Sequence, residues 1–357
     1  MSFEVLSYKN ISERARWQAL CHNLPLCDIY FYPEYVYLYQ LKGDGEPCCF
    51  VYYESKENFV IYPFLKRQIN ALPSFRDLPS NIYDIITPYG YGGYLRSNDQ
   101  IVMNGFDSIF KEYCRENHII SEFIRFHPLI KNWNYSPNNV TIEQKSETIL
   151  VDLTNDNEKI WSDISSKCRN CIRKAIKSNL NIIEDQKLSG LDTFYRLYHE
   201  TMKRVKAKAY YFFPRAWFDD MASLIKGNLV LFHAEYNDAI VVSSLFMFTE
   251  EFIHYHLSAS DTEHKYLSAN HLLLYEVALW AKTRGIKYFH LGGGYQPNDT
   301  VFKFKASFSS IRAPFYIGKV IHDHEYYRYL SERKLAVEGE GISDLDFFPV
   351  YRAPTHP

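Results

Sequence analysis

Residues 252–294 read FIHYHLSASDTEHKYLSANHLLLYEVALWAKTRGIKYFHLGGG and carry a strand–helix–strand signal. Apolar runs at 252–257 and 286–291 predict two strands, and apolar spacing over 270–284 predicts the helix that joins them. Gly285 stands where a left-handed helix stop is expected, after basic residues in the last turn. Apolar side chains surround this helix almost completely, which predicts a buried crossover between neighbouring strands. Ligands gather at the strand ends of such open sheets.

Outward from this segment, the two halves of the chain repeat one order of elements. In the first half, a predicted hairpin at 49–65 precedes a helix with apolar positions from 101 to 113 and a strand at 123–126. In the second half, strands at 229–234 and 240–248 precede the segment quoted above. The sequence therefore predicts an α/β fold, layered in α+β fashion, with two related lobes.

The predicted boundary lies after the polar stretch SPNN at 136–139, where a new apolar strand begins at 148. We expect an N-terminal lobe at 1–150, a C-terminal lobe at 151–330 and a C-terminal extension at 331–357. A chain of 357 residues exceeds the usual size of one core, which also favours two domains.

Composition limits the classes of function. Lys and Arg number 40 against 42 Asp and Glu, so the net charge of −2 argues against a surface that binds duplex DNA. The first residues carry no secretion signal, and no segment reaches the roughly 20 apolar residues of a membrane helix. A cytoplasmic protein without a transmembrane segment is expected.

The seven cysteines are an odd number scattered along the chain, which indicates reduced thiols. Cys168 and Cys171 form one CxxC, but no second pair completes a zinc site and the pair lies in a helical pattern. No metal site is predicted.

Two basic segments are candidate anion sites. Arg169, Arg173 and Lys177 share one face of a predicted helix at 164–179, where a phosphate-bearing acceptor would relieve their repulsion. Arg204 belongs to a second cationic run that precedes Tyr211, a combination that suits a nucleotide or the acceptor end of a tRNA. A solvated basic surface is the alternative in both places.

Two glycine-rich turns are candidate substrate sites. Gly292, Gly293 and Gly294 follow a buried strand, where bare backbone lets a substrate approach closely. In the first half, Tyr89 and Tyr91 alternate with glycines and offer aromatic walls to a peptide or sugar. A simple chain reversal is the alternative.

Four segments together resemble the FemABX and FemAB-like branch of the GNAT superfamily. They are TPYGYGG at 87–93, KCRNCIRKA at 167–175, HLGGG at 290–294 and FKFKASF at 302–308. Their order and spacing also fit, over most of residues 28–325. The resemblance implies two GNAT-like lobes and acyl transfer to an amine of a peptide or amino sugar.

The resemblance assigns catalysis to the last segment, where Lys305 lies near the transferred carbonyl and Phe304 stands beside it. A lysine there would stabilise the oxyanion of the tetrahedral intermediate. If the segment is a strand, Lys303 and Lys305 point to one face and Phe304 to the other. His256, which alternates with His254 on a predicted strand, and Asp299 are competing candidates for the base, with structural histidines and a turn-forming aspartate as the alternatives.

The donor is left open between aminoacyl-tRNA and acyl-CoA, and no tightly bound cofactor is expected. Acetyl-CoA enzymes of the wider superfamily place a glycine-containing phosphate loop before the central helix. Here that place reads YLSAN, with Ser268, Ala269 and Asn270 as candidate donor contacts. The missing glycines weaken acetyl-CoA and leave room for aminoacyl-tRNA.

The sequence thus predicts an N-acyltransferase, with an aminoacyl group as the first candidate for the transferred group. The expected acceptor is an amine of a phosphate-linked cell-wall or surface-polysaccharide precursor, such as a peptidoglycan precursor. An acyl-CoA-dependent N-acetyltransferase that acts on an amino sugar or peptide is the second reading. A non-catalytic sugar-phosphate or peptide-binding protein is the third.

Overall fold

The computed structural model describes residues 2–296, 298–339, 342 and 346–354. The chain divides into two units, the first made of residues 1–145 and 315–357 and the second of residues 146–314. These units differ from the ranges proposed from sequence, because the boundary lies between residues 145 and 146 and residues 315–357 belong to the first unit. The predicted mixed α/β class is confirmed.

The elements follow in chain order. The strands are β1 (Ser2–Ser7), β2 (Glu46–Tyr53), β3 (Phe59–Gln68), β4 (Tyr83–Ile86), β5 (Leu95–Arg96), β6 (Ile119–Arg125), β7 (Thr141–Asp152), β8 (Asn181–Asp185), β9 (Leu229–Tyr236), β10 (Ala239–Phe248), β11 (Phe252–Ser260), β12 (Tyr288–Gly292) and β13 (Arg312–Ile321). The helices are α1 (Ile11–His22), α2 (Pro33–Leu41), α3 (Met103–Glu116), α4 (Asn157–Asp163), α5 (Ser166–Lys177), α6 (Leu191–Arg204), α7 (Arg215–Leu224), α8 (Ala269–Thr283), α9 (Thr300–Ala306) and α10 (His324–Glu338).

The sheet of the first unit has the strand order β1-β2-β3-β4-β6-β13, with β5 paired to β3. The predicted hairpin is confirmed, since β2 and β3 pair antiparallel and place Tyr53 opposite Phe59. Aromatic side chains of the sheet pack on α3, where the rings of Phe50 and Phe110 lie 4.9 Å apart. Much of the tyrosine and phenylalanine content therefore fills this core.

The C-terminal segment packs into the first unit. Tyr351 is fully buried, and its hydroxyl shares a 2.7 Å hydrogen bond with Ser121 of β6. The Arg352 side chain pairs with the buried Asp84 of β4, which also accepts a 2.7 Å hydrogen bond from Arg67. Within the predicted extension, residues 340, 341, 343–345 and 355–357 lie outside the described residues.

The sheet of the second unit has the strand order β7-β12-β11-β10-β9-β8. β11 and β12 pair in parallel, and α8 crosses from one to the other as predicted. Its buried residues include Leu272, Leu273 and Val277, because apolar side chains occupy most of its circumference. Gly285 ends the crossover with φ of +78°, the left-handed conformation expected there.

Two irregularities open the sheet beside α8. The parallel pairing of β11 with β12 ends at His254 and His290, although β11 continues to Ser260. On the other side of β11, Phe246 pairs with Tyr255 and Leu245 with Leu257, so His256 is the extra residue of a β-bulge. These irregularities expose the second half of β11 to the space that holds the candidate site.

The prediction of a possible strand around Lys303 and Lys305 is wrong. These residues lie in α9, which begins after Asp299, whose side chain accepts a 2.7 Å hydrogen bond from the amide of Phe302. An N-cap of this kind favours helix over strand in a short apolar segment. Because two residues span about 200° of a helix, the two lysines point in different directions, and Lys303 is exposed.

Candidate functional site

A cavity of about 660 Å³ opens in the second unit beside the free half of β11. Its wall comes from the end of α6 and the loop after it, from residues 255–258 of β11, from the first turn of α8 and from α9. Segments that are far apart in sequence therefore meet at this point. Five residues named from the sequence line it: Lys305, Phe304, His256, Asn270 and Tyr211.

Lys305 places its ammonium group at the wall of this cavity. Its Nζ donates a 2.7 Å hydrogen bond to the carbonyl oxygen of Gly293 and lies 5.7 Å from the centre of the Tyr255 ring. Burial lowers the pKa of Lys305 to about 8, and the negative charge of Asp299 acts in the opposite direction. The side chain thus carries a positive charge in a poorly solvated place at neutral pH.

The glycine run contacts α9 of the same unit. Gly292 has φ of +74°, and a Cβ at this position would lie 3.3 Å from Lys305 Nζ. A Cβ on Gly294 would lie 2.5 Å from Asp299 Oδ1, and one on Gly293 would lie 2.9 Å from the carbonyl oxygen of Glu147. Other groups of the protein thus lie where a side chain at each of these three positions would be. This accounts for glycine there without the substrate contact that was proposed from the sequence.

Asp299 is engaged by the backbone around it. Besides capping α9, its carboxylate accepts hydrogen bonds from the amides of Tyr295 and Gln296, at 2.7 and 2.9 Å. These bonds help to lower its pKa, although burial acts against them. A carboxylate held in this way is a weak proton acceptor, and its geometry fits a positioning role for α9 and Lys305 better than that of a general base.

His256 lines the cavity, and one of its ring nitrogens has no hydrogen-bond partner among the described residues. Its Nε2 is buried and makes no hydrogen bond in the described part of the chain. Burial, together with nearby His254, lowers the pKa of His256 to about 3. The imidazole is therefore neutral at physiological pH and accepts a proton only weakly. His254 shares a 3.2 Å contact with His290 through their Nδ1 atoms.

The N-terminus of α8 adjoins a second, smaller cavity of about 240 Å³. Ser268, Ala269 and Asn270, the predicted donor contacts, all line it, and Asn270 and Phe304 line both cavities. Ser268 adopts the left-handed conformation and makes no side-chain cap. Asn270 Oδ1 and His271 Nδ1 are buried without a hydrogen-bond partner among the described residues. Buried polar atoms of this kind indicate a polar ligand or bound water.

The cationic run after α6 reaches the rim of the larger cavity. Lys206, Lys208 and Tyr211 line it together with Lys305. Arg204 instead donates a 2.9 Å hydrogen bond to the carbonyl oxygen of Ser260 and so ties the end of α6 to β11. The structure thus brings the predicted nucleotide surface and the predicted catalytic lysine into one site.

The other predicted contacts lie elsewhere. Arg169, Arg173 and Lys177 lie on α5 and do not line either cavity. Arg169 donates hydrogen bonds to the carbonyl oxygens of Trp161, Ser162 and Ile164, which close the end of α4. Arg173 lies with its guanidinium carbon 5.3 Å from the Trp161 ring.

Tyr89 and Tyr91 belong to the first unit. The Tyr91 ring contacts the ring of Tyr30 at 5.1 Å, and the carbonyl oxygen of Tyr89 accepts a hydrogen bond from Tyr35. A Cβ on Gly90 would lie 2.5 Å from the Tyr30 ring, so this turn also packs on side chains of its own unit.

Sequence reasoning missed several residues of the larger cavity. Thr201 and Met202 come from the last turn of α6 and Val205 follows it, whereas Ser258 and Tyr295 come from β11 and the loop before α9. Val205 and Tyr295 are exposed although they are large and apolar, at 58% and 64%. Nothing in a single sequence separates such residues from the rest of a surface, because their exposure appears only after folding.

The arrangement suits reactions in which negative charge develops on a carbonyl oxygen. A fixed ammonium group in a poorly solvated cavity stabilises such charge more than it would in water. The phosphates of a donor would be neutralised at the lysine-bearing rim.

Comparison with known proteins supports acyl transfer. Residues 163–305 match the family model described as an acetyltransferase (GNAT) domain. No curated protein matches this chain in sequence. The crystal structure of FemX is similar in fold, with a TM-score of 0.66 and 13% identity, covering 92% of this chain and 99% of FemX. The GNAT resemblance stated from the sequence is confirmed.

Two further crystal structures share the fold. One is the C-terminal domain of a putative lysylphosphatidylglycerol synthetase from Agrobacterium fabrum, with a TM-score of 0.53 and 12% identity, covering 91% of this chain and 95% of that one. The other is a protein of unknown function from Bacteroides thetaiotaomicron, with a TM-score of 0.57 and 10% identity, covering 90% and 99%. Identities this low establish the fold alone.

Proposed function

We propose that this chain, an acyltransferase with a GNAT domain at residues 163–305, transfers an aminoacyl group from a nucleotide-ended donor to an amine in the cavity beside β11. The observation that carries the proposal is the position of Lys305. Its ammonium group stands at the wall of a cavity whose rim also bears Lys206, Lys208 and Tyr211.

Lys305 supplies the electrostatic part of the reaction. The neutral amine of the acceptor attacks the ester carbonyl of the donor, a C–N bond forms, and negative charge develops on the carbonyl oxygen. The ammonium group stabilises this oxygen, an effect typically worth about 3 kcal/mol. The C–O bond to the donor then breaks, and the leaving hydroxyl takes up the proton that the amine releases.

The rim supplies the contacts to the nucleotide end of the donor. Lys206 and Lys208 are exposed, so they can approach phosphates, and Tyr211 offers a ring on which a base can stack. The acceptor end of a tRNA presents both groups next to the ester. This agreement between donor chemistry and rim chemistry favours an aminoacyl-tRNA.

The acceptor is proposed from the FemABX resemblance. An amine of a phosphate-linked cell-wall or surface-polysaccharide precursor, such as a peptidoglycan precursor, fits that resemblance. Arg173 and Lys177 stay candidates for its phosphate, because both are exposed on α5. Arg169 is already engaged by carbonyl oxygens, which reduces its availability to a ligand.

Among the described helices, none is both long and apolar enough to cross a membrane.

One observation favours a second donor, acyl-CoA. Asn270 and His271 line the smaller cavity at the start of α8, and the buried Asn270 Oδ1 has no hydrogen-bond partner among the described residues. The pantetheine arm of coenzyme A carries secondary amides, whose N–H groups would satisfy acceptors of this kind. The free amides at the N-terminus of α8 would suit its phosphates, although no glycine-rich loop precedes them.

Isotope labelling separates the two donors. The purified protein is incubated with ¹³C-alanyl-tRNA or with ¹³C-acetyl-CoA and a panel of amine acceptors, which includes a nucleotide-linked muramyl peptide and its dephosphorylated form. We expect a mass increase of the acceptor with alanyl-tRNA. A mass increase with acetyl-CoA alone selects the second donor, and no product with either donor contradicts the proposed function.

A further inference from the structure

We propose that the larger cavity selects the acyl group by charge: it accepts acyl groups with a neutral or anionic side chain and excludes those that carry an ammonium or guanidinium group. This inference deepens the proposed function and rests on it, since it concerns the group that is transferred next to Lys305. It applies to an aminoacyl ester and to an acyl thioester alike.

The charges at the wall all have one sign. Lys206, Lys208 and Lys305 line the cavity, and among the described lining residues none is an aspartate or a glutamate. A cationic side chain that enters would therefore approach three positive charges, and the described lining residues offer it no carboxylate. Repulsion is strongest at Lys305, which is poorly solvated, and weaker at the exposed Lys206 and Lys208, where water screens the charges.

Two carboxylates close to the cavity, Asp299 and Asp261, are already engaged. Asp299 accepts hydrogen bonds from the amides of Tyr295, Gln296 and Phe302. Asp261, which lines the smaller cavity, accepts bonds from His264 at 2.7 Å and from the amide of Glu263 at 3.0 Å. A ligand ammonium would have to break these bonds to obtain a partner, and breaking them costs free energy.

The remaining wall favours uncharged groups. Met202, Val205, Leu257 and Val301 contribute apolar surface, against which an alkyl side chain can pack. The α-amine of an aminoacyl group can enter uncharged, because α-amino groups have a pKa of about 8. A lysine side chain has a pKa of about 10.4, so it must lose a proton that it holds far more strongly.

Anionic side chains have a place in the same cavity. A carboxylate at the end of a short chain can pair with Lys206 or Lys208 at the rim, where water still screens the excess charge. The cavity is thus expected to admit glutamyl and alanyl groups and to reject lysyl groups. This selectivity follows from the sign of the charges on the wall and not from the size of the cavity.

Binding of stable donor analogues tests the selection. The probes are amides of 3′-amino-3′-deoxyadenosine that carry norleucyl, glutamyl or lysyl groups, and their Kd values are measured by calorimetry at low salt. Norleucyl matches lysyl in chain length and lacks only the charged end. We expect norleucyl and glutamyl to bind at least about tenfold more tightly than lysyl. Equal Kd values for norleucyl and lysyl, or failure of all three to bind at millimolar concentration, would overturn the inference.

A substitution at Met202 supplies the matched control. Met202→Glu adds one carboxylate to the wall and should reduce the preference for norleucyl over lysyl by about tenfold, whereas Met202→Gln, of the same size, should leave it unchanged. Loss of the preference in both variants would mean that shape, not charge, selects the ligand. If the analogues bind in the expected order while no donor yields product, the proposed transfer fails and the charge selection stands.

Discussion

Lys305 depends on residues that precede it in the chain. The carbonyl oxygen of Gly293 accepts its hydrogen bond, and Gly292 has no side chain that would approach its Nζ. Asp299 adds a nearby negative charge that favours the protonated form. A single ammonium group is thus held in position by a turn and tuned by a carboxylate, and each contribution can be removed separately.

Lys305→Met removes the charge and keeps the length of the side chain. If the ammonium group acts mainly on the oxyanion, kcat should fall by roughly two orders of magnitude or more, with little change in donor and acceptor binding. Steady-state kinetics with both substrates measure this. Lys303→Met is the matched control, because Lys303 is exposed in the same helix. Similar losses at both positions would point to a general charge effect, and full turnover in the Lys305 variant would end the assignment.

Asp299→Asn tests the charge near Lys305. The pKa of Lys305 is about 8 and Asp299 holds it up, so removal of the carboxylate charge should lower it further. Protonated Lys305 is the active form, and kcat should therefore decline at a lower pH in the variant than in the unchanged protein. Asparagine keeps one oxygen that can cap α9, whereas its NH2 group cannot accept the hydrogen bonds that the second carboxylate oxygen receives from the amides of Tyr295 and Gln296. The pH profile of kcat between 6 and 10 is the measurement. Asp238→Asn, in an exposed turn, serves as the control, and identical profiles in all three proteins would refute the assignment.

At the scale of elements, several polar residues that resemble ligand contacts in the sequence hold helix ends. Asp299 caps α9 and Arg169 closes the end of α4. Both residues satisfy backbone groups that a helix end leaves without partners. Caps of this kind make short helices possible, and they also determine which residues are free to meet a substrate.

The two arginines of α5 should therefore behave differently. Arg169→Ala leaves the carbonyl oxygens of Trp161, Ser162 and Ile164 without their donor and should lower the free energy of unfolding by about 1–3 kcal/mol. Arg173→Ala should change stability by less than about 0.5 kcal/mol, because Arg173 is exposed. Urea denaturation of both variants measures the difference, and equal losses would contradict the capping role of Arg169.

Arg173→Ala also tests the acceptor. Arg173→Ala is expected to raise the KM for a phosphorylated acceptor more than it lowers kcat, and the defect should grow with salt. Equal affinity of the unchanged protein for phosphorylated and dephosphorylated acceptors would rule out a phosphate site on α5.

At the scale of the whole molecule, the chain begins and ends in the first unit. Residues 315–357 follow the second unit in sequence, yet they belong with residues 1–145. Tyr351 and Arg352 connect this last segment to β4 and β6 through Asp84 and Ser121. Stability of the first unit therefore depends on residues that are distant from its other residues in the sequence.

Tyr351→Ala should destabilise the first unit by about 3–5 kcal/mol, since it removes a fully buried ring. Tyr351→Phe keeps the ring and should cost only about 1 kcal/mol, the contribution of the hydrogen bond to Ser121. Thermal unfolding measures the stability of both variants. Hydrogen exchange of the backbone amides in β4 and β6 reports the stability of the first unit. Similar small losses in the two would show that the segment contributes little to this unit.

Local sequence was sufficient for the elements that depend on neighbours in the chain. The crossover helix α8, its glycine stop and the hairpin of β2 and β3 follow from apolar spacing and turn residues within a few positions. The four family-like segments also pointed to acyl transfer, and the GNAT match confirmed that class. The helical form of the segment around Lys305 was harder to predict from the sequence, because it depends on the Asp299 cap and on packing against the glycine turn.

The sequence by itself determined the fold class, the crossover and the acyltransferase class, because these rest on periodicity and motifs that are local in the chain. Tertiary structure decided which residues share a site. Three separate segments provide Met202 with Lys206, His256, and Lys305, and these residues meet only when α6, β11 and α9 pack together. It also assigned Arg169 and Asp299 to helix ends. Such contacts depend on which residues lie close together in the folded chain. A single sequence does not give these distances.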